Sequence, residues 1–192
     1  MVDYLKELKK HVKTEKQRVF DPDFVKDADK YLAWDEVEIG MELPPEQTFE
    51  VKAEDIKAYA EAALDPNPLF HDEEYAKNSP YGGLIASPGF YVQIVFWCTG
   101  KGHGSSWSKT PGARNPGQKV EFYEPIRPGD VITIKRKAYD KWVKRGKYYI
   151  THQSDFVDQN GVLKLTAWGT LILPKTRADV MKFMKGERGL EV

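Results

Sequence analysis

Three polar residues in one short stretch, Asp65, Asn67 and His71, have side chains suited to acid–base chemistry. Two prolines, Pro66 and Pro68, alternate with them and restrict the backbone. A stiff loop of this kind can hold a carboxylate, an amide and an imidazole in fixed positions. A carboxylate beside apolar neighbours can take a proton from water, because desolvation raises the pKa of a carboxyl group. The stretch is therefore a candidate acid–base site.

Each of these side chains also has a purely structural explanation. Asp65 can be a turn residue at the end of a helix, and Asn67 can bond to the backbone of its own turn. His71 can be an exposed polar residue beside Asp72. The two explanations place the side chains differently. The helices around the loop therefore decide which explanation holds.

A helix is predicted to end directly before this loop. Its apolar residues recur at spacings of three and four, which predicts one buried face; they are Ile56, Tyr59, Ala60, Ala63 and Leu64. The helix ends at Asp65-Pro66, because a residue before proline avoids the helical region. The loop is therefore anchored to a packed helix.

A second predicted helix begins at Ser87-Pro88, since serine is a favoured N-cap and proline a favoured first helical residue. Residues 91–97 are apolar apart from one glutamine, so we expect this helix to be buried nearly all round. Its first free N–H groups, on Gly89 and Phe90, would stabilise a carbonyl oxygen that gains negative charge. Ordinary helix capping explains the same residues, and both roles are compatible.

The chain resembles the MaoC-like acyl dehydratases, the (R)-specific enoyl-thioester hydratases, and more narrowly their N-terminal-type branch. The resemblance covers roughly residues 34–174 and rests on motifs in family order: Asp65-x-Asn67-Pro68-Leu69-Phe70, Asp72-x-x-Tyr75-Ala76, Tyr81-Gly82-Gly83-Leu84-Ile85-Ala86-x-Pro88, Tyr123-Glu124-Pro125-Ile126-Arg127-Pro128-Gly129-Asp130 and Asp158-Gln159-Asn160-Gly161. It implies an α+β hot-dog fold, in which a curved antiparallel sheet wraps around a buried central helix. It also implies hydration of a trans-2-enoyl thioester to the (R)-3-hydroxyacyl thioester, or the reverse dehydration.

The resemblance assigns roles to the candidate residues. Asp65, with His71 and Asn67, would activate water, and the Gly89 and Phe90 amides would hold the thioester oxygen with Ser87 capping their helix. The remaining candidate substrate-binding residues are Tyr81, Gly83 and Arg114. No cofactor is implied beyond the coenzyme A or carrier protein that carries the acyl group, and no metal.

One position departs from the family pattern. The usual motif has histidine where this chain has Phe70, and His71 follows one residue later. Two hypotheses follow: either the loop bends so that His71 still serves, or the chain is a non-catalytic or half-catalytic partner in a heteromeric hot-dog hydratase. A thioesterase on the same fold is a third hypothesis, which the Asn67-Pro68-Leu69 motif disfavours by resemblance.

Composition narrows the other functional classes. The 192 residues include 29 basic and 29 acidic ones, so no overall charge favours nucleic acid or a membrane surface. A single cysteine, Cys98, excludes an internal disulfide framework. No apolar run is long enough to cross a bilayer, and no signal peptide is evident, so we expect a cytoplasmic protein. Histidine or cysteine pairs at ligand spacing are absent from the sequence, which disfavours a metal site.

Three segments are predicted: a helical extension over 1–33, the hot-dog domain over 34–174 and a helical tail over 175–192. Within the domain, alternating residues predict a short strand at 49–52 and a meander at 118–124, 131–142, 148–157 and 162–173. Residues 100–117 hold five glycines and two prolines and form a long loop, which is either a subunit contact or a flap over the substrate. The open sheet edge predicts a homodimer or a heteromer with another hot-dog subunit.

Overall fold

The computed structural model describes residues 10–19, 31–43, 47–98, 107 and 110–187. Its α-helices are α1 Glu15–Val19, α2 Ala53–Ala62, α3 Glu73–Lys77, α4 Tyr91–Cys98 and α5 Arg177–Met184, with 3-10 turns at Trp34–Glu36, Pro68–Phe70 and Pro88–Phe90. Its strands are β1 Glu42–Leu43, β2 Phe49–Glu50, β3 Arg114–Phe122, β4 Val131–Lys144, β5 Lys147–Val157 and β6 Leu163–Leu173.

The strands form an antiparallel sheet in the order β1-β4-β5-β6-β3, with β2 also paired to β4. The four predicted strands are present, and β4, β5 and β6 form the predicted meander, because alternating residues and glycine turns are local signals. The place predicted for the first strand of the meander is wrong: β3 pairs with β6 at the far side of the sheet and not with β4. The predicted loop over 100–117 is too long at its carboxyl end, since β3 already begins at Arg114. Arg114 pairs with Ile172 across a register shift that the sequence does not reveal.

Helices α2 and α4 lie against the sheet in the main apolar core, as the hot-dog arrangement requires. Phe49 of β2 and Phe90 before α4 meet edge to face, with ring centroids 5.8 Å apart. The prediction that α4 is buried nearly all round is wrong: Ile94 and Cys98 are buried, but Phe96 is 48% exposed. Only one side of α4 faces the sheet in this chain, so its apolar composition does not imply complete burial.

A second apolar cluster lies further along the sheet, where Trp107 and Val37 pack on Ile150 of β5 and Leu171 of β6. The indole N–H of Trp34 donates to the Tyr149 main-chain oxygen at 2.9 Å. The segment before β1 is therefore attached to the sheet independently of the central helix.

The described part of the N-terminal extension docks on α2 through a buried ion pair. Lys16 Nζ lies 2.6 Å from Asp55 Oδ2, and Asp55 is fully buried. Of the helical extension predicted over 1–33, the described residues 10–19 form only one short α-helix, α1 at Glu15–Val19. Residues 1–9 and 20–30 lie outside the described residues, so the predicted boundary at 33 stays a prediction.

Helix α2 ends two residues earlier than its apolar pattern predicts, at Ala62 instead of Leu64. Ile56 and Ala60 are buried as expected, but Ala63 is exposed and Leu64 is 88% exposed. The reason is a Schellman turn, in which Leu64 N–H bonds to Glu61 O and Asp65 N–H bonds to Ala60 O. Leu64 takes the left-handed position with φ 55°, which turns its side chain into solvent.

Replacing Leu64 with glycine should stabilise the chain by about 1 kcal/mol, because a left-handed conformation is costly for any residue with a Cβ. The exposed side chain contributes little burial to lose. Urea unfolding would show a higher midpoint for Leu64→Gly. Ala63→Gly is the matched control and should lower the midpoint, since Ala63 is right-handed with φ −77°. An unchanged or lower midpoint for Leu64→Gly would contradict this account.

The motif that ends at Asp130 and the motif that begins at Asp158 meet at a buried lysine, Lys164. Lys164 Nζ on β6 lies 3.2 Å from Asp130 Oδ2, before β4, and 3.3 Å from Asp158 Oδ2, after β5. The turn between β5 and β6 contains the motif Asp158-Gln159-Asn160-Gly161. Asp158 Oδ1 stabilises this turn by accepting the N–H groups of Asn160 and Val162, each at 2.9 Å. These contacts join both turns at one end of the sheet.

Candidate active site

A cleft of about 410 Å³ opens at this end of the sheet. One wall is the 3-10 turn Pro68–Phe70, a second is the segment before α4, and the third is the end of β3 with the residues that follow it. The apolar part of the lining includes Phe70, Ile85 and Phe122. Its shape suits a ligand with an apolar portion and a few polar atoms.

Several polar side chains line the cleft, among them Asn67, Tyr81, Ser87 and Glu124. Asn67 Oδ1 accepts the Leu69 N–H at 3.1 Å, which fixes the amide and leaves its nitrogen as a donor. This contact is the backbone-bonding turn that the sequence allowed. Because Asn67 also lines the cleft, its structural role is compatible with one in binding.

Ser87 is 7% exposed, and its hydroxyl makes no capping bond to the following turn. Ser87 therefore occupies the predicted N-cap position, followed by Pro88, but its side chain does not cap the turn. Phe90 N–H instead bonds to the Ser87 main-chain oxygen at 3.0 Å, because α4 is preceded by a 3-10 turn. The Ser87 hydroxyl is thus available in the lining of the cleft.

The 3-10 turn leaves only one of the two predicted amides, Gly89 N–H and Phe90 N–H, free to bind a ligand. Phe90 N–H already has an acceptor in Ser87 O, and the Phe90 side chain is fully buried in the core. Gly89 N–H bonds to no main-chain oxygen of the described residues. Of the two predicted donors, only the Gly89 amide can bind a ligand without breaking an internal hydrogen bond.

Asp65 is half-buried, and its Oδ1 accepts the Asn67 N–H at 3.1 Å. It is thus a turn residue at the end of a helix, as its structural explanation requires. Its side chain does not belong to the lining of the cleft, which begins two residues later at Asn67. Asp65 affects the cleft in this structure only by stabilising the loop that carries Asn67. Its role in water activation stays a prediction.

The one-residue step in the motif has a clear structural result. Phe70 is 5% exposed and lies between the core and the cleft. His71 lies outside the lining, and its Nε2 donates to the Asp65 main-chain oxygen at 2.5 Å. The loop does not bend so as to turn the His71 ring into the cleft.

The other predicted binding residues are dispersed. Tyr81 is 42% exposed and lines the cleft, and its main-chain oxygen accepts a hydrogen bond from Arg127 at 2.5 Å. Gly83 is half-buried and lies outside the lining. Arg114 is exposed at the opposite end of β3 from Phe122, away from the cleft. Residues 100–106 and 108–109 of the loop predicted as a flap or a subunit contact lie outside the described residues.

Sequence reasoning gave no role to two cleft residues, Tyr91 and Glu124. Tyr91 belongs to the apolar helix α4 and was assigned to the core, whereas its hydroxyl donates to Gln118 Oε1. Burial, and secondarily the nearby Tyr59, raise the pKa of Tyr91 above its ordinary value of 10.0. Glu124 belongs to the family motif that runs from Tyr123 to Asp130, and this motif is the sequence signal that could have pointed to it. The motif alone does not show which of its side chains faces a cavity.

The described part of the chain has neither a metal-binding cluster nor a membrane-spanning helix. In the described ranges, no group of three or more histidine, cysteine, aspartate or glutamate side chains is arranged to hold a metal ion. None of the helices in the described ranges combines the length and apolar character needed to span a membrane.

Known proteins share this fold and sequence pattern. An uncharacterised protein of Saccharopolyspora erythraea, named UPF0336 protein, is 29% identical over 150 residues, which is 73% of this chain and 92% of that protein. A mitochondrial 3-hydroxyacyl-[acyl-carrier-protein] dehydratase of Arabidopsis thaliana is 30% identical over 129 residues, covering 67% and 74%. The crystal structure of the MaoC-like dehydratase from Rhodospirillum rubrum matches with a TM-score of 0.65 at 24% identity, covering 75% of this chain and 97% of that one.

The family model that describes the FAS1-like dehydratase domain region matches residues 38–167. That range contains the cleft, the loop at Asp65 and both motifs joined by Lys164. The hot-dog sheet and the order of the motifs agree with the same assignment. The chain therefore belongs to the family described as FAS1-like, dehydratase domain region, and its fold matches that of a MaoC-like dehydratase.

Proposed function

We propose that this chain hydrates a trans-2-enoyl thioester to the (R)-3-hydroxyacyl thioester, or catalyses the reverse dehydration. The observation that carries the proposal is the cleft itself, in which apolar walls adjoin the polar groups of Asn67 and Ser87. Apolar walls suit an acyl chain, and fixed polar groups suit the reacting carbons and the thioester oxygen. The similarity to the mitochondrial 3-hydroxyacyl-[acyl-carrier-protein] dehydratase of Arabidopsis thaliana supports the same class of reaction.

In this proposal Asp65 takes a proton from water as the water oxygen adds to C3 of the enoyl group. Electrons move towards the thioester oxygen, which the Gly89 N–H stabilises, and a proton returns to C2. Asn67 orients the water or the carboxylate. Asp65 has to approach the cleft when substrate binds, since its carboxylate lies outside the lining in the free chain.

A second candidate function is favoured by a specific observation. Phe70 fills the position of the usual histidine, and the His71 ring bonds to Asp65 O outside the cleft. A chain of this kind suits a partner subunit that completes the fold and the acyl pocket of a heteromer, while another hot-dog subunit brings the complete catalytic pair.

The test is an assay of the purified chain with crotonyl-CoA and a longer enoyl-CoA, following loss of the conjugated thioester absorbance. Hydration by the chain alone supports the first function. Absence of activity alone, with activity on adding a second hot-dog subunit that carries the usual histidine, supports the second. Calorimetry of thioester binding decides whether the cleft binds substrate. If the thioester binds neither to the chain alone nor to the chain with the second subunit, both functions are refuted.

A further inference from the structure

Tyr59 of α2 lies directly against Gly89, at the start of the central helix. A Cβ built on Gly89 would lie 2.6 Å from the Tyr59 hydroxyl oxygen, which is closer than real Cβ contacts allow. The Tyr59 ring is held by Phe90, which it meets edge to face with centroids 5.6 Å apart. Packing of α2 against α4 therefore fixes a phenol beside one particular backbone amide.

The Tyr59 hydroxyl can still donate a hydrogen bond to a ligand. Among the described residues, the Tyr59 hydroxyl has no hydrogen-bond partner, whereas the neighbouring Tyr91 hydroxyl donates to Gln118. Ser87 and Pro88 before Gly89, and Tyr91 after it, line the cleft. Gly89 therefore lies in the chain between lining residues, with the Tyr59 hydroxyl against it, although neither Tyr59 nor Gly89 belongs to the lining itself. Phe90 N–H is already bonded internally.

We propose that the Tyr59 hydroxyl and the Gly89 N–H together bind the thioester carbonyl oxygen. The inference rests on the function proposed above and names a residue that its mechanism does not yet contain. During hydration, the C–O bond forms at C3 and the π electrons move to the thioester oxygen. Tyr59 keeps its proton and donates a hydrogen bond to that oxygen, while the proton removed from water by the base is balanced by the proton added to C2.

The same geometry explains why position 89 is glycine, and it gives a test of the contact without substrate. Gly89→Ala should lower the unfolding temperature, because its Cβ meets the hydroxyl at 2.6 Å. In the background of Tyr59→Phe the nearest remaining atom is the ring carbon Cζ at 3.5 Å, an ordinary contact. The double variant should therefore lose less stability than the sum of the single variants.

The decisive experiment is infrared spectroscopy of S-butyryl-pantetheine, labelled with ¹³C at the thioester carbonyl and bound to the full chain. Pantetheine is common to coenzyme A and carrier proteins, and the saturated acyl group does not react. Two hydrogen bonds should move the carbonyl band to lower frequency than in water. Tyr59→Phe should return the band part of the way, and Tyr75→Phe, an exposed tyrosine of α3 outside the cleft, should leave it unchanged.

The outcomes separate this inference from the proposed function. If the wild-type chain binds no S-butyryl-pantetheine, the proposed function fails and this inference fails with it. If the thioester binds and Tyr59→Phe leaves the band of the wild type unchanged, only the inference is overturned. Should Tyr59→Phe fail to fold, Gly89→Ala displaces the same hydroxyl and should cause the same change in the band. In turnover, Tyr59→Phe should lower kcat by about 100-fold with little effect on KM.

Discussion

The Asp65→Asn variant should lose at least about 100-fold in kcat/KM for enoyl-thioester hydration while it stays folded, because the missing carboxylate is the proposed base. The fold should survive, since the asparagine side-chain oxygen can still accept the Asn67 N–H that Asp65 Oδ1 accepts now. The measurement is the rate of absorbance loss at the conjugated thioester, in the chain alone or in a heteromer that contains it.

A matched control is available in the same loop. Asp72 accepts the N–H groups of Glu74 and Tyr75 and lies outside the cleft lining, so Asp72→Asn removes a similar turn carboxylate. That variant should keep its rate. If Asp65→Asn also keeps the full rate, Asp65 is a turn residue only, and the base has to be supplied by another group or another subunit.

Lys164→Met should cause the largest loss of stability of any single change considered for this chain. It would leave the carboxylates of Asp130 and Asp158 close together and without their shared cation. Removing one partner of a buried ion pair is strongly destabilising, so we expect Tm to fall by about 10 °C at pH 7. Lys135→Met, an exposed lysine of β4, is the control and should shift Tm little. An equal Tm for Lys164→Met and wild type would contradict the role assigned to this lysine.

The same contact has a pH signature. Burial alone would raise the pKa of Asp158, but the N–H groups of Val162 and Asn160 and the Lys164 ammonium together lower it below its ordinary value of 3.8. A carboxyl group whose pKa is lower in the folded state stabilises that state above the unfolded pKa, and this contribution disappears as the pH falls through the folded pKa. Wild-type Tm should therefore fall as the pH is lowered below about 4.

Protonation also neutralises the unpaired carboxylates of the variant. The difference in Tm between wild type and Lys164→Met should therefore narrow over the same acidic range, which calorimetry at several pH values can measure. A difference that stays constant from pH 7 to pH 3 would mean that Lys164 stabilises the chain by packing rather than by charge.

Much of the local structure follows from short-range signals. The extent of β4 and β5 was predicted nearly to the residue, because alternating apolar positions and the glycine turn at Gly146 act within a few residues. The end of α2 was less accurate: Leu64 fits an apolar helical face, yet the hydrogen bonds of the turn place it in solvent. Periodicity records residue type, and it does not contain the geometry of the last helical turn.

By itself, the amino-acid order determined the family, the positions of the four long strands and the proline-stiffened loop, because these depend on residue type at fixed spacings. The pairing of β3 with β6 was decided by the tertiary structure. Tertiary structure alone decided that Phe70 faces the cleft while His71 does not, since a single step in a 3-10 turn rotates the direction of a side chain by about 120°. It also brought Tyr59 to Gly89, thirty positions apart in the chain. That contact depends on how two helices pack on one sheet, which no local pattern in either helix encodes.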